Sequence, residues 1–137
     1  MAGVTRASLI PFLSARSTTT RSGSLSSSVI YQEATITLTA GTWLVKAGGA
    51  LINLTTADNG VAGIYNRTTS AEVSVSRGSQ VTTTTTSYQP VVSVTMSITV
   101  TGNTDFCPVF DRAGPSTLRA ASDASGAAGF IEAFRIN

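Results

Sequence analysis

Two carboxylates offer the nearest approach to catalytic chemistry in this sequence. Glu72 and Glu132 fall in segments with strand periodicity, and a carboxylate pair in a fold can act as general acid and base. The seven acidic residues are scattered, however, and mostly lie beside turns, while the chain has no histidine to serve as a base at neutral pH. Two separate strand acids explain the pattern better, so the sequence predicts no enzymatic activity.

The single cysteine lacks the neighbours that would make it a nucleophile. Cys107 precedes a proline in an apolar stretch, and no histidine is present to activate it, so we interpret it as a small buried hydrophobic residue. One cysteine forms no intrachain disulfide, and the usual zinc sites need histidines or several cysteines. We therefore expect no metal site and no cofactor.

Two further patterns have a structural and a functional interpretation. Gly48 and Gly49 lie within a strand pattern and not between a strand and a helix, which indicates a β-bulge rather than a phosphate-binding loop. Trp43, Tyr65 and Tyr88 could form a sugar-binding platform, but aromatic residues spaced across strands are more typical of a core.

The composition indicates a surface that is covered by other protein. The chain has 137 residues, enough for one domain, and only 12% of them are charged against roughly 25% in ordinary globular proteins. Such a surface favours a subunit that associates with copies of itself or with partners, and the alternative is an ordinary monomer with a Thr-rich sheet face. The net charge of +2 is scattered and forms no basic face for nucleic acid, and no apolar stretch approaches the roughly 18 residues that cross a bilayer. We expect neither nucleic acid nor a membrane as a partner.

The elements that position these residues are strands. Alternation is clearest over residues 90–101, where Val, Met and Ile alternate with Ser and Thr. Asp58-Asn59-Gly60 predicts a turn that joins two strands into a hairpin, and Pro108 argues against a central position for the strand at 105–111. No window carries a convincing helical stripe. Further predicted strands cover 35–39, 42–53, 61–66, 71–76, 118–121 and 130–136, and together they predict an all-β fold, an antiparallel β-sandwich.

The first 28 residues differ from the rest in composition. They are rich in Ser, Thr and Arg and contain no acidic residue, which predicts an extended N-terminal arm over 1–28 before a folded domain over 29–137. One apolar cluster interrupts the arm. We expect the arm to be dispensable for folding and to attach the protein to a partner through these apolar residues and arginines: Arg6, Leu9, Ile10, Phe12, Leu13, Arg16 and Arg21.

Three segments resemble one known family. The segment from Ile36 to Ala47 (ITLTAGTWLVKA), the segment from Gly63 to Asn66 (GIYN) and the ending from Gly129 to Ile136 (GFIEAFRI) resemble the C1q/TNF-like jelly rolls of phage structural proteins. The resemblance covers residues 34–137. The Gly-Asp pair that commonly precedes a late strand in extracellular members is absent, as are acidic clusters for calcium, so the resemblance supports the architecture and not a receptor-signalling role.

The resemblance implies a jelly roll that forms a homotrimer, serving in phages as head decoration, head fibre or tail-fibre tip. We therefore expect a non-enzymatic structural protein located in a bacteriophage virion, attached to other virion proteins such as the major capsid protein. The alternative is a tail-fibre or receptor-binding tip, in which loops at 82–88 and 112–117 would recognise carbohydrate on the host surface.

Overall fold

The computed structural model describes residues 10–17, 29–53, 58–73, 81–83, 91–112, 118–121 and 129–137. These residues form strands and turns, and no helix long and apolar enough to span a membrane occurs among them. The strands are β1 (Phe12–Ser17), β2 (Val29–Ile30), β3 (Ile36–Leu38), β4 (Gly41–Asn53), β5 (Asp58–Asn66), β6 (Ala71–Glu72), β7 (Val81–Thr83), β8 (Val91–Val100), β9 (Thr104–Arg112), β10 (Leu118–Ala121) and β11 (Gly129–Arg135).

The strands form two antiparallel sheets. Sheet A contains β1, β11, β4, β8 and β10, and sheet B contains β2, β3, β9, β5, β6 and β7. Three pairs lie end to end and each occupies one strand position: β2 with β3 along β9, β6 with β7 along β5, and β10 with β11 along β4.

The order of pairing identifies the topology. When the end-to-end pairs are merged, the first strand position pairs with the last, the second with the second to last, and so on inward to β5 with β6 and β7. A long hairpin rolled into two sheets produces this nesting, which is the jelly roll. The predicted all-β antiparallel sandwich is therefore confirmed.

The core lies between the sheets and follows the alternation of the strands. In β8, Val92, Val94 and Ile98 are buried, while Thr95 and Ser97 are exposed on the other face. The pleat sends successive side chains to opposite faces, so this period-2 pattern fixes which face meets the core. Residues from both sheets close the main cluster, which includes Ile36, Leu38, Trp43, Val45, Ile64, Phe106 and Ile131.

The prediction that Pro108 excludes a central strand is wrong. Strand β9 lies between β5 on one edge and β2 and β3 on the other. The Pro108 carbonyl accepts a hydrogen bond from the Tyr31 backbone N–H (3.0 Å), in the gap between the end of β2 and the start of β3. The N–H and C=O of a strand residue point to the same edge, so the missing donor of Pro108 falls where the neighbouring strand is interrupted.

Two predictions around β4 and β5 also need correction. Residues Asp58 to Gly60 are the start of β5 and pair with β7, and β4 and β5 belong to different sheets, so they form no hairpin. The pairing of β4 with β8 is continuous from Gly41↔Val100 to Ala50↔Val91, without the predicted bulge. A Cβ at Gly48 would overlap the Val92 carbonyl oxygen, so this glycine permits a close approach of two strands instead.

Part of the predicted arm belongs to sheet A. Residues Phe12–Ser17 pair with β11 over six residues, from Phe12↔Phe134 to Ser17↔Gly129. Leu13 and Ala15 pack against the core and Ser17 is buried, so these residues form the first strand of the jelly roll. Sequence alone missed the strand because its outward residues are Phe12, Ser14 and Arg16, which hide the alternation. The boundary at residue 28 is corrected for this segment, and the remaining arm residues other than 10 and 11 lie outside the described ones.

Candidate interaction surface

An apolar row crosses the outer face of sheet A, the face turned away from sheet B. Phe12, Phe134 and Leu44 are aligned on β1, β11 and β4 by the strand register. Their exposed fractions are 49%, 48% and 41%. The rings of Phe12 and Phe134 pack at 4.7 Å between centroids, tilted by 40°. Ile10 and Ile136 are also exposed, at 67% and 60%, and with these three residues they form what we call the apolar row.

A small charged group lies beside the apolar row on the same face. The Arg16 guanidinium is 3.4 Å from the Glu132 carboxylate, and both Arg16 and Lys46 lie over the Phe130 ring, at 6.0 and 5.6 Å from its centroid. Exposed ion pairs of this kind contribute little to stability, about 0–1 kcal/mol. The group therefore leaves the apolar row as the main feature of the face.

Hydroxyl groups cover the part of this face that belongs to β8. Thr95, Ser97 and Thr99 are exposed and Ser93 is half-buried. The Thr99 hydroxyl is 3.0 Å from the Thr42 hydroxyl on β4, a hydrogen bond between neighbouring strands. We call Ser93, Thr95, Ser97 and Thr99 the hydroxyl row.

The structure divides the residues that were predicted to attach the protein to a particle. Ile10, Phe12 and Arg16 are exposed, Phe12 and Arg16 on the outer face of sheet A, whereas Leu13 faces inward and packs against the core. Arg6, Leu9 and Arg21 lie outside the described residues. Among the described members, Ile10 and Phe12 are the apolar side chains that remain available to a partner.

The candidate catalytic carboxylates do not meet. Glu132 lies on the outer face of sheet A, beside Arg16, whereas Glu72 belongs to sheet B, where its carboxylate lies over Gly63. No group of three or more His, Cys, Asp or Glu residues in the described segments could hold a metal ion. The described part of the chain therefore offers no assembled acid–base pair.

Burial also bears on the cysteine and the aromatic residues for which the sequence offered a functional interpretation. Cys107 is fully buried, and desolvation by burial raises its pKa to about 11, with the Arg67 charge opposing the shift and Glu33 adding to it. Trp43 is a core residue whose indole N–H donates to the Thr39 carbonyl (2.9 Å). Tyr65 is half-buried, and Tyr88 and most of the two candidate recognition loops fall outside the described residues.

Leu44, Phe134 and Ile136 were not recognised as surface residues from the sequence. Their signal was available, since β4 and β11 carry large apolar residues on both faces. A strand with that composition is expected either in a buried sheet or at an interface. No layer covers this face of sheet A in the described structure, and this distinguishes an interface from a buried sheet.

Comparison with solved structures finds a virus particle protein. The chain is similar to a chain in the structure of infectious bursal disease virus, Gx strain, with a TM-score of 0.56 and 9% identity over 98% of this chain. A chain of the VP2 subviral particle of the same virus is 10% identical over 90% of this chain, with a TM-score of 0.40. This chain spans 37% and 34% of the lengths of those two chains. At such low identity the first similarity supports the fold alone.

Neither the models of known protein families nor the curated protein sequences match this chain.

Proposed function

We propose that this protein is a non-enzymatic structural protein of a bacteriophage virion, a trimeric jelly-roll module attached to the particle as capsid decoration or head fibre. The apolar row on the outer face of sheet A carries the proposal. The jelly-roll fold, shared with a chain from a virus particle, and the sequence resemblance to phage structural proteins support it.

The size of the exposed apolar surface favours stable association. Phe12 and Phe134 are each about half exposed. A buried aromatic side chain covers 150–250 Å², so together they expose roughly 200 Å². At about 25 cal/mol per Å², covering this area in each protomer contributes about 5 kcal/mol, comparable to the low end of the cost of association. Leu44, Ile10 and Ile136 add to this contribution.

The neighbours of the apolar row fit a closed cyclic assembly. Phe12, Phe134 and Leu44 lie in one line across three strands, so copies related by a three-fold axis can bring their rows together at that axis. Glu132 lies between the positive charges of Arg16 and Lys46 and offsets one of them, so the adjoining charged group carries a net charge of only +1 per subunit. A trimer formed in this way buries the surface that a lone subunit leaves exposed.

The N-terminal segment is proposed to attach the protein to the particle. Each subunit of a trimer presents one copy of this segment, so the trimer makes three such contacts. The proposed contacts are Arg6, Leu9, Arg16 and Arg21, since Ile10 and Phe12 belong to the apolar row assigned to the trimer and Leu13 holds the segment in the core. Three weak contacts on one trimer bind a particle far more tightly than one, because the second and third become intramolecular. The arginines make the contact sensitive to salt.

Substitution within the apolar row tests the trimer. Sedimentation equilibrium of the wild-type protein at micromolar concentration should give an assembly of three subunits or a multiple of three. Phe134→Lys should lower the mass threefold while the subunit stays folded, because the Phe134 side chain is half exposed. Gln32→Lys, at an exposed turn residue away from sheet A, is the matched control and should remain trimeric. A monomeric wild-type protein contradicts the proposal.

Binding to particles that lack the protein tests the attachment. The full chain should bind them stoichiometrically, and deletion of residues 2–9, which leaves β1 intact, should weaken binding at least tenfold without changing the oligomeric state. If the deletion binds as well as the full chain, the attachment lies on the jelly roll. Binding to host glycans without binding to particles would favour the receptor-binding alternative.

A further inference from the structure

Strand β8 forms an unusually long open edge of sheet A. It pairs with β4 along its whole length of ten residues, from Gly41↔Val100 to Ala50↔Val91, and with no other strand in the described part of the chain. The other described edge strands are shorter: β2, β3, β6 and β7 have two or three residues, β10 has four, and β1 has six and carries Arg16.

The sequence of β8 lacks the features that normally protect an edge. Natural edge strands carry Lys, Pro or a bulge, or are kept short, because their free N–H and C=O groups can pair with another chain. Residues 91–100 (VVSVTMSITV) contain no charge, no proline and no glycine, and their pairing with β4 is free of bulges. This edge is therefore suited to a partner strand.

The direction of the backbone groups shows what the edge presents. Thr42 on β4 accepts a hydrogen bond from the Ile136 N–H (2.7 Å), so even-numbered β4 residues face β11 and odd-numbered ones face β8. Trp43 is opposite Ile98, so even-numbered residues of β8 face β4. The N–H and C=O groups that point away from β4 thus belong to odd-numbered residues, which include the whole hydroxyl row.

This edge is complementary to itself. Two copies of β8 placed antiparallel, with their core faces on the same side, bring odd-numbered residues opposite odd-numbered residues. The hydroxyl row then meets a second hydroxyl row, and no like charges are opposed. Hydroxyl pairs across neighbouring strands are favourable, and the bond between Thr42 and Thr99 is an example within this fold.

We propose that β8 pairs antiparallel with β8 of a second copy of this chain across a two-fold axis, joining two A sheets into one continuous sheet. A neutral strand edge lined by hydroxyl groups pairs best with another edge that is neutral and lined by hydroxyl groups. The β8 strand of a second copy of the chain is such an edge. This contact is distinct from the apolar row, so it does not depend on the proposed trimer. If both contacts form, the two-fold contact links trimers to one another.

Paired charge substitutions on the hydroxyl row test the two-fold contact. In the full chain, Thr95→Lys with Ser97→Lys should reduce the mass measured by sedimentation at least twofold, because like charges then oppose each other across the axis. Thr95→Glu with Ser97→Glu should do the same. An equal mixture of the two variants should recover the wild-type mass, since Lys then faces Glu, and this recovery excludes misfolding as the cause of dissociation.

The control carries the same added charge elsewhere. Gln32→Lys with Thr69→Lys alters two exposed turn residues away from β8 and should keep the wild-type mass. A lysine variant of β8 that keeps the wild-type mass, or a mixture that fails to associate, overturns the proposal. The result is separable from the trimer test, because Phe134→Lys removes a factor of three in mass and the β8 variants remove a factor of two.

Discussion

The outer faces of the two sheets differ in how their apolar side chains are covered. On sheet A, Phe12 and Phe134 are about half exposed. On sheet B, the outward side chains Cys107 and Val109 alternate with the core residues Phe106 and Phe110, yet they are only 0% and 1% exposed. Both faces contain apolar residues, but of these described side chains those on sheet B are buried and those on sheet A are exposed.

The polar side-chain contacts of the two outer faces can be compared in the same way. At the end of sheet B, the Thr37 hydroxyl donates to the Asp105 carboxylate (2.7 Å), and Arg67 donates to the Thr35 hydroxyl (3.1 Å). On the described outer face of sheet A the corresponding contacts are the Arg16–Glu132 ion pair and the Thr42–Thr99 hydrogen bond, and the β8 edge beside them has no strand partner among the described residues. Among the described residues, the outer face of sheet B is therefore buried within the subunit, whereas that of sheet A leaves large apolar side chains exposed.

A charge placed on each face should give the largest difference. Val109→Asp puts a carboxylate into a fully buried site without a partner, which should lower the free energy of unfolding by about 3–5 kcal/mol. Leu44 is 41% exposed, so Leu44→Asp should change the free energy of unfolding by about 1 kcal/mol or less in the monomer, and it should weaken the proposed trimer. Urea unfolding of both variants measures the contrast. Equal losses would mean that sheet A is also closed.

Substitutions at two neighbouring residues of β1 should also differ in their effect on the free energy of unfolding, but by a smaller amount. Leu13 packs against the core, so Leu13→Ala should cost about 2 kcal/mol of unfolding free energy, the low end for a buried leucine because its burial is partial. Phe12→Ala, on the exposed face, should cost less than about 1 kcal/mol and should instead reduce association. If Leu13→Ala leaves the unfolding midpoint unchanged, β1 contributes nothing to folding.

The smallest expected effect is the pH dependence caused by Cys107. Burial raises the pKa of its thiol from 9.0 to about 11, so the folded state favours the neutral form. The unfolded thiol ionises first, and stability is therefore full below pH 9 and falls as the pH rises from 9 towards 11. At pH 10 the loss is about 1 kcal/mol.

Cys107→Val is the control for this effect, because it keeps an apolar side chain of similar size at the site. The difference in unfolding free energy between pH 8 and pH 10 should be smaller in this variant than in the wild-type protein. The same loss in both would show that other groups cause it.

Individual strands could be predicted where only one face meets the core. In β8 the alternation of apolar residues with Ser and Thr placed residues 92–100 on their observed faces, and the ends of β10 and β11 were also close to the predicted ones. Strand β1 was missed because its outward residues include both a phenylalanine and an arginine. Pro108 misled the prediction, since its tolerance in β9 depends on the interruption between β2 and β3.

The interaction surface could be predicted only in part. Phe12 and Ile10 were recognised as apolar residues available to a partner, but Leu44 and Phe134 were not. Their exposure depends on which strands adjoin β4 and β11 and on what covers the sheet. Sequence periodicity carries no information about a covering layer that comes from distant residues.

By itself, the sequence determined that this protein is all-β, poor in charge and without histidine. These properties follow from composition and from the period of two between side chains, which are local. The tertiary structure decided the pairing of β1 with β11, the separation of Glu72 from Glu132 and the exposure of the apolar row. Each depends on which strands become neighbours across the jelly roll, and such contacts join residues as far apart as Phe12 and Phe134.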